Sequence, residues 1–273
     1  MLVRRDDGRA DPLLAEARAT TNRVARTFSL ACRMLPRDVR DDVYRLYLVF
    51  RTLDDLVDDG DPGAERRIEE LQAWCLTGTV RSREARVLAE LAARHPIPVA
   101  PLLDFCAGMR ADLERCSFAT EADVERYCYR VAGTVGIVMS EVLGHDGDRR
   151  EVHRTAAALG MAMQRTNILR DIDEDRAAGR SYLSAAVIDR FGAPEPGRRE
   201  DLLRDQIARA DALYDEGLEG VRRLRRGRWA VRAAGTMYRE ILRQIERDGY
   251  GARAGRAVVP ARRKLTAAAR GTL

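Results

Sequence analysis

Two stretches of the chain stack oxygen-bearing side chains along what would be one face of a helix. In Arg51-Thr-Leu-Asp54-Asp55-Leu-Val-Asp58-Asp59, residues Tyr47, Arg51, Asp54 and Asp58 recur at steps of four, three and four. At about 3.6 residues per turn those steps draw a single stripe. Further on, Gln164, Asn167, Asp171 and Asp175 recur at steps of three, four and four. Carboxylates one turn apart repel each other, so a chain that stacks them twice on apolar-rich segments has a use for a cation there. Oxygen donors with no His or Cys nearby point to a hard ion, Mg2+ first and Mn2+ as its substitute.

A solvated surface stripe is the plainer alternative. The chain is 33% charged and carries other Asp pairs, Asp6-Asp7 and Asp41-Asp42, in stretches that read as ordinary surface, so an Asp pair alone decides nothing. The second stretch resists that alternative better. Its apolar neighbours Leu159, Met161, Met163, Ile168, Leu169 and Ile172 nearly surround the helix, which predicts a buried segment whose polar stripe faces a cavity. Buried carboxylates need partners, and Gln164 and Asn167 bring no charge.

The elements that must hold these stripes read as helices almost throughout. Apolar positions at helical spacing, with Pro and Gly as stops, predict helices over 12–34, 37–59, 64–76, 83–94, 99–116, 121–144, 150–178, 198–225 and 228–249, and a last one after Pro260. Convincing alternating strands are absent, so the expected class is all-α, a many-helix bundle whose central helices enclose a pocket. In Tyr127-Cys-Tyr129-Arg-Val-Ala132-Gly133-Thr-Val-Gly136 the small residues fall mid-helix. Glycine there costs about 1 kcal/mol against alanine, so either close helix packing or a bend that makes room for a ligand is expected.

At 273 residues, with no linker rich in Gly, Ser or Pro, the chain reads as one domain over 1–273, with 1–11 and 266–273 as flexible ends. The five cysteines form no CxxC pair and are odd in number, which suits free thiols in a reducing, cytoplasmic setting better than a disulfide framework or zinc. No stretch reaches a membrane span, so a soluble protein is expected. The net charge of +5 is carried almost wholly by arginine, whose planar fork suits phosphate. Basic runs at 221–228 and 253–264 lack aromatics for base stacking, which argues against nucleic acid and for a solvated face or an anionic membrane surface. His95, His145 and His153 show no ligand spacing.

In combination these motifs resemble the squalene/phytoene synthase family. Arg51-xx-Asp54-Asp55-xx-Asp58, the Tyr127 to Gly136 segment, and Gln164-xx-Asn167-Ile-Leu-Arg170-Asp171-xxx-Asp175 with Gly179-Arg180-Ser-Tyr182 behind it follow the family in register from about residue 24 to about 265. The resemblance implies the all-α isoprenoid synthase fold and the joining of two prenyl diphosphates head to head through a cyclopropylcarbinyl diphosphate, with release of pyrophosphate. It further implies that Asp54 and Asp58 form one metal-binding pair and that Asn167, Asp171 and Asp175 form the other, beside Gln164. Arg26, Arg51 and Arg170 would hold diphosphate oxygens, with Tyr47, Tyr127 and Tyr238 lining the site and Thr27, Phe28 and Tyr182 in contact with substrate. Phe28, Val131, Ala132, Val135 and Leu159 would form the apolar wall around a carbocation.

The chain departs from many relatives at Val24-Ala25, where they carry Ser or His before the Phe-Ser segment. Cys32 is small where thirty-carbon-forming relatives often place an aromatic, and Tyr44 is an aromatic next door. The expected substrate is therefore geranylgeranyl diphosphate, giving a phytoene-like product, ahead of farnesyl diphosphate and a squalene or dehydrosqualene product. NADPH is not implied, and the residues assign no oligomeric state. Two other functions share this frame: a class I terpene cyclase working on one diphosphate, and a catalytically silent interaction protein. The latter would have shed its metal-binding carboxylates, and all of them are present.

Overall fold

The computed structural model describes residues 11–272, without the side chains of Arg26 and residues 270–272. Its elements are α1 (Pro12–Val24), α2 (Arg26–Arg33), α3 (Arg37–Asp58), α4 (Ala64–Thr77), α5 (Arg83–Ala92), α6 (Val99–Leu113), α7 (Glu121–Cys128), a π-helical turn (Tyr129–Gly133), α8 (Thr134–Leu143), α9 (Arg149–Ala177), α10 (Ala185–Phe191), α11 (Glu200–Gly220), a 3-10 turn (Val221–Arg223), α12 (Arg228–Arg247) and α13 (Ala261–Thr272). Among the described residues there is no strand, and only an isolated bridge joins His145 to Leu224. The all-α expectation holds.

Three boundaries differ from the sequence reading, each for a local reason. Residues 12–34 break at Ala25, whose φ of −127° and ψ of 63° leave helical space without a Pro or Gly to announce it. Helix α10 had no strong apolar period to betray it; the Ser184 hydroxyl caps it by accepting from the amide of Val187. The expected loose end at 266–273 is helical as far as Thr272, whereas residues 1–10 lie outside the described part.

Helix α9 is the axis of the bundle, packed by α7, α8, α11 and α12. The Asp148 carboxylate starts it by accepting from the amide of Glu151 at 2.9 Å, and Gly179 stops it with a φ of 72°. Helix α3 begins after Pro36 and gives way to Gly60 at a φ of 64°. Both acidic stripes thus stand in the last turns of long helices that are held from below. Leu46, Leu53, Phe105 and Tyr214 are among the fully buried side chains that fix them.

The small residues of the second motif serve both expected purposes. A Cβ on Gly136 would overlap the carbonyl oxygen of Ala156, and one on Gly160 that of Ala132, so the two helices touch backbone to backbone. Between them the π turn widens the helix, and Val131, Ala132, Val135 and Gly136 come to line a cavity. Gly160→Ala should therefore cost about 1–3 kcal/mol in urea unfolding. A loss too small to measure would mean that α8 and α9 can slide apart freely.

Candidate active site

A cavity of about 860 Å³ runs between α3 and α9 and is closed by α2, the π turn, α8, α11 and α12. Along α9 its wall passes from Val152 through Leu159 to Asn167 and Arg170, and along α3 from Val43 through Tyr47 to Arg51. Five turns of α9 make that wall about 27 Å long. One end is apolar; the other, at the C-terminal ends of both helices, is polar. The expected wall residues Thr27, Phe28, Val131, Ala132, Val135 and Leu159 all line it, as do Tyr47, Gln164 and Tyr238. Cys32 lines it too, whereas Tyr44 is buried in the core behind it.

The carboxylates continue the stripes one turn beyond the polar end. Arg51 Nη1 lies 2.8 Å from Asp54 Oδ2, and its other amino group meets Asp55. From across the cleft, Arg180 reaches Asp58 Oδ1 at 2.9 Å, tying the start of the loop after α9 to the end of α3. Asp171 accepts from Arg170 Nε at 2.8 Å and from Arg256 Nε at 3.0 Å. Tyr238 donates to Asn167 Oδ1 at 2.6 Å, and the Asn167 amide donates to Gln164 Oε1 at 3.2 Å, which fixes how Asn167 presents its oxygen. The side chain of Arg26 lies outside the described residues.

Two expected lining residues sit elsewhere. Tyr127 and Tyr182 do not face the cavity; their rings stack 5.3 Å apart beside Phe118, and both hydroxyls point to Asp112 on α6, that of Tyr127 at 3.1 Å. Tyr127 lost its place on the wall because Val131 and Ala132, one turn on, already occupy it across the π turn. Asp112 went unnoticed in the sequence because a lone Asp on an apolar helix resembles surface. Arg256 and Lys264, which line the cavity from the segment after α12, belonged to a basic run with no helical stripe to single them out.

The charges of the two rows are felt. Burial, reinforced by Asp58 and Asp55, pushes the Asp54 carboxyl up to about 6, although 45% of its side chain is open to water. Burial and the charge of Asp171 push Asp175 to about 6. Burial likewise lifts Asp112 to about 7, with Asp54 and Asp58 adding to it and the Tyr127 hydrogen bond opposing. The carboxylates Asp54, Asp55, Asp58, Asp112, Asp171 and Asp175 outnumber the guanidiniums paired with them, from Arg51, Arg170, Arg180 and Arg256, and every donor is an oxygen. Such a set fits a hard divalent cation.

That excess has a measurable consequence. Groups whose folded values are raised contribute stability at low pH and lose it as pH rises through those values, here about 6 to 7. In EDTA the Tm is expected to fall between about pH 5 and about pH 8, and added Mg2+ should restore more of it at the higher pH. Equal effects of Mg2+ at both ends would contradict a carboxylate-held cation.

A family model described as squalene/phytoene synthase matches residues 21–263. A 15-cis-phytoene synthase of Synechococcus elongatus is 34% identical over 92% of this chain and 89% of its own length. A second from Synechocystis sp. is also 34% identical, over 91% and 81% respectively. Among solved structures, a dehydrosqualene synthase superposes with a TM-score of 0.85 at 28% identity over 95% of both chains. A squalene synthase from Alicyclobacillus acidocaldarius gives 0.76 at 26% identity, covering 88% of this chain and 95% of its own. Helical frame, apolar channel and acidic mouth together define an isoprenoid synthase. The chain belongs to the squalene/phytoene synthase family and is a prenyl transferase of the head-to-head kind. A divalent metal goes with that family's work on prenyl diphosphates. No helix among the described residues is long and apolar enough to cross a membrane.

Proposed function

We propose that the protein joins two molecules of geranylgeranyl diphosphate, through a cyclopropylcarbinyl diphosphate, into a forty-carbon phytoene-type hydrocarbon and releases pyrophosphate. The observation that carries this reading is the channel itself, mainly apolar along about three of its five turns and bordered by carboxylates and guanidiniums at one end. Small Cys32 on its wall, and the withdrawal of Tyr44 into the core, leave room for the longer chain. The phytoene synthases among the relatives support the same product.

Asp54 and Asp58 on one side and Asn167, Asp171 and Asp175 on the other would hold Mg2+, which would supply Lewis-acid neutralisation of the leaving diphosphate. Arg51 and Arg170, with Arg256 beside Asp171, bind phosphate oxygens and orient the head group. Gln164 and Tyr238 hold Asn167 in register. The rings of Phe28 and Tyr47, 4.8 Å apart, offer π faces to an allylic cation, and the aliphatic wall keeps water from quenching it. Tyr127 and Tyr182 act from behind the rows through Asp112.

The deciding experiment is incubation of the protein with Mg2+ and geranylgeranyl or farnesyl diphosphate, with products read by mass. A forty-carbon hydrocarbon from the first is expected. A cyclic product of unchanged carbon number would mean a terpene cyclase, and faster turnover of farnesyl diphosphate would mean a thirty-carbon enzyme. The five free cysteines support a cytoplasmic setting. We place the product exit at Val24 and Val258, which line the cavity yet are exposed. Anionic vesicles added to the same assay are expected to carry the protein with them on flotation; protein left wholly behind would count against a membrane-facing exit.

A further inference from the structure

The apolar end of the channel is backed by a second cluster of ligating side chains, none of which prenyl transfer requires. Glu141 near the end of α8, His145 just beyond it and His153 in the opening turns of α9 converge, with a ligand atom of each within 4.8 Å of the others. Their spacing in sequence carries no ligand signal, because the turn between α8 and α9 folds them together. Glu141 is only 3% exposed, and a different imidazole addresses each of its oxygens. His153 Nε2 lies 2.6 Å from Oε1 and His145 Nε2 lies 3.5 Å from Oε2. The other ring nitrogen of His145, Nδ1, is buried with no hydrogen-bond partner.

One cation already touches the site. Arg149 sets its Nε 2.6 Å from Glu141 Oε1 and its Nη2 2.9 Å from the carbonyl of Pro96, but 52% of its side chain is exposed, so it can swing into water. Two imidazole nitrogens and one carboxylate are the donors of a borderline metal such as Zn2+, whereas Mg2+ prefers oxygen alone. Tetrahedral bonds of about 2.0–2.1 Å set donor atoms about 3.4 Å apart. The pairs at 2.6 and 3.5 Å bracket that separation and all three ligand atoms lie within 4.8 Å of one another, so entry of an ion asks for rotation of these side chains and release of Arg149, with no movement of the helices.

From this geometry we infer that Glu141, His145 and His153 form a binding site for a divalent transition metal of the Zn2+ class, separate from the acidic rows. His153 precedes Asp171 by about 27 Å along α9, so the two sites do not share ligands. The cluster joins the end of α8, the start of α9 and, through the His145–Leu224 bridge, the turn after α11. Leu143, Val152 and Leu224, one from each, line the channel's apolar end. A bound ion staples these three segments and stiffens that end without touching substrate.

The test is titration of the full-length protein, in excess Mg2+, with Co2+ as a visible probe and Zn2+ as the competitor. One equivalent of Co2+ is expected to give visible d–d absorption that Zn2+ abolishes. Arg149→Ala should tighten binding several-fold, a gain that misfolding cannot produce. His153→Ala, and His145→Ala with His153→Ala, should weaken it by about a hundredfold or more. Absence of the absorption from both the parent protein and Arg149→Ala at millimolar Co2+ would overturn the assignment. So would absorption that survives loss of both histidines, which would place the ion on a cysteine or another surface group.

Discussion

Asp171→Ala is expected to cut turnover by about a thousandfold or more while the protein still folds. Asp171 lies in the middle of the second row, and its two oxygens are shared by Arg170 and Arg256 at the polar end of the channel. Its removal takes away a carboxylate that, in the proposed reading, holds the cation neutralising the departing diphosphate. Asp171→Asn keeps the shape and should fail nearly as badly, which separates charge from packing. The neighbouring Asp173 supplies the contrast. It accepts from Arg199 at 2.7 and 2.8 Å and from the Gly255 amide at 2.7 Å, so it anchors the segment after α12 and faces away from the row. Asp173→Ala strands a guanidinium that is 4% exposed and should cost about 3 kcal/mol of stability, with turnover per folded molecule largely kept. Steady-state rates beside denaturant melts of the three variants check this, and an active Asp171→Ala would leave the metal rows without support.

Cys32→Phe should switch the preferred substrate from the twenty-carbon to the fifteen-carbon diphosphate. Cys32 is 1% exposed to bulk water and borders the channel, so a phenyl ring there has only the channel to enter. The prenyl tail then loses the space of its last unit. Discrimination by a few methylenes in an apolar pocket is worth about 10- to 200-fold in kcat/KM, and that is the loss expected for geranylgeranyl diphosphate. Farnesyl diphosphate should be turned over at close to the parent rate or better. Competition between the two substrates, with products separated by mass, measures the ratio; an unchanged ratio would show that chain length is gauged elsewhere.

Much of this was legible because helical period is a local signal. The stripes at 47–58 and 164–175 are written in steps of three and four, and α3 and α9 form with those residues on one face. What escaped depends on contacts made across the fold. Asp112 becomes part of the site only when α6 brings it against Tyr127 and Tyr182. The resemblance puts Tyr127 on the wall, yet past the π turn, an extra residue in one helical turn, it is Val131 and Ala132 that line it. Arg180 pairs with Asp58 across a separation of more than a hundred residues, which no window along the chain would join. The break at Ala25 has no marker at all, since neither Pro nor Gly stands there.

The arginines on the acidic mouth have one more effect. Asp54, Asp58 and Asp171 each already hold a guanidinium, from Arg51, from Arg180 and from Arg170 with Arg256. If these carboxylates hold a divalent ion, as proposed, the guanidiniums would be released from them and left free for phosphate oxygens. Ion and lipid must then favour each other's entry by the same factor, in whichever order they come. With no ion there, the same guanidiniums lessen the repulsion within the acidic mouth.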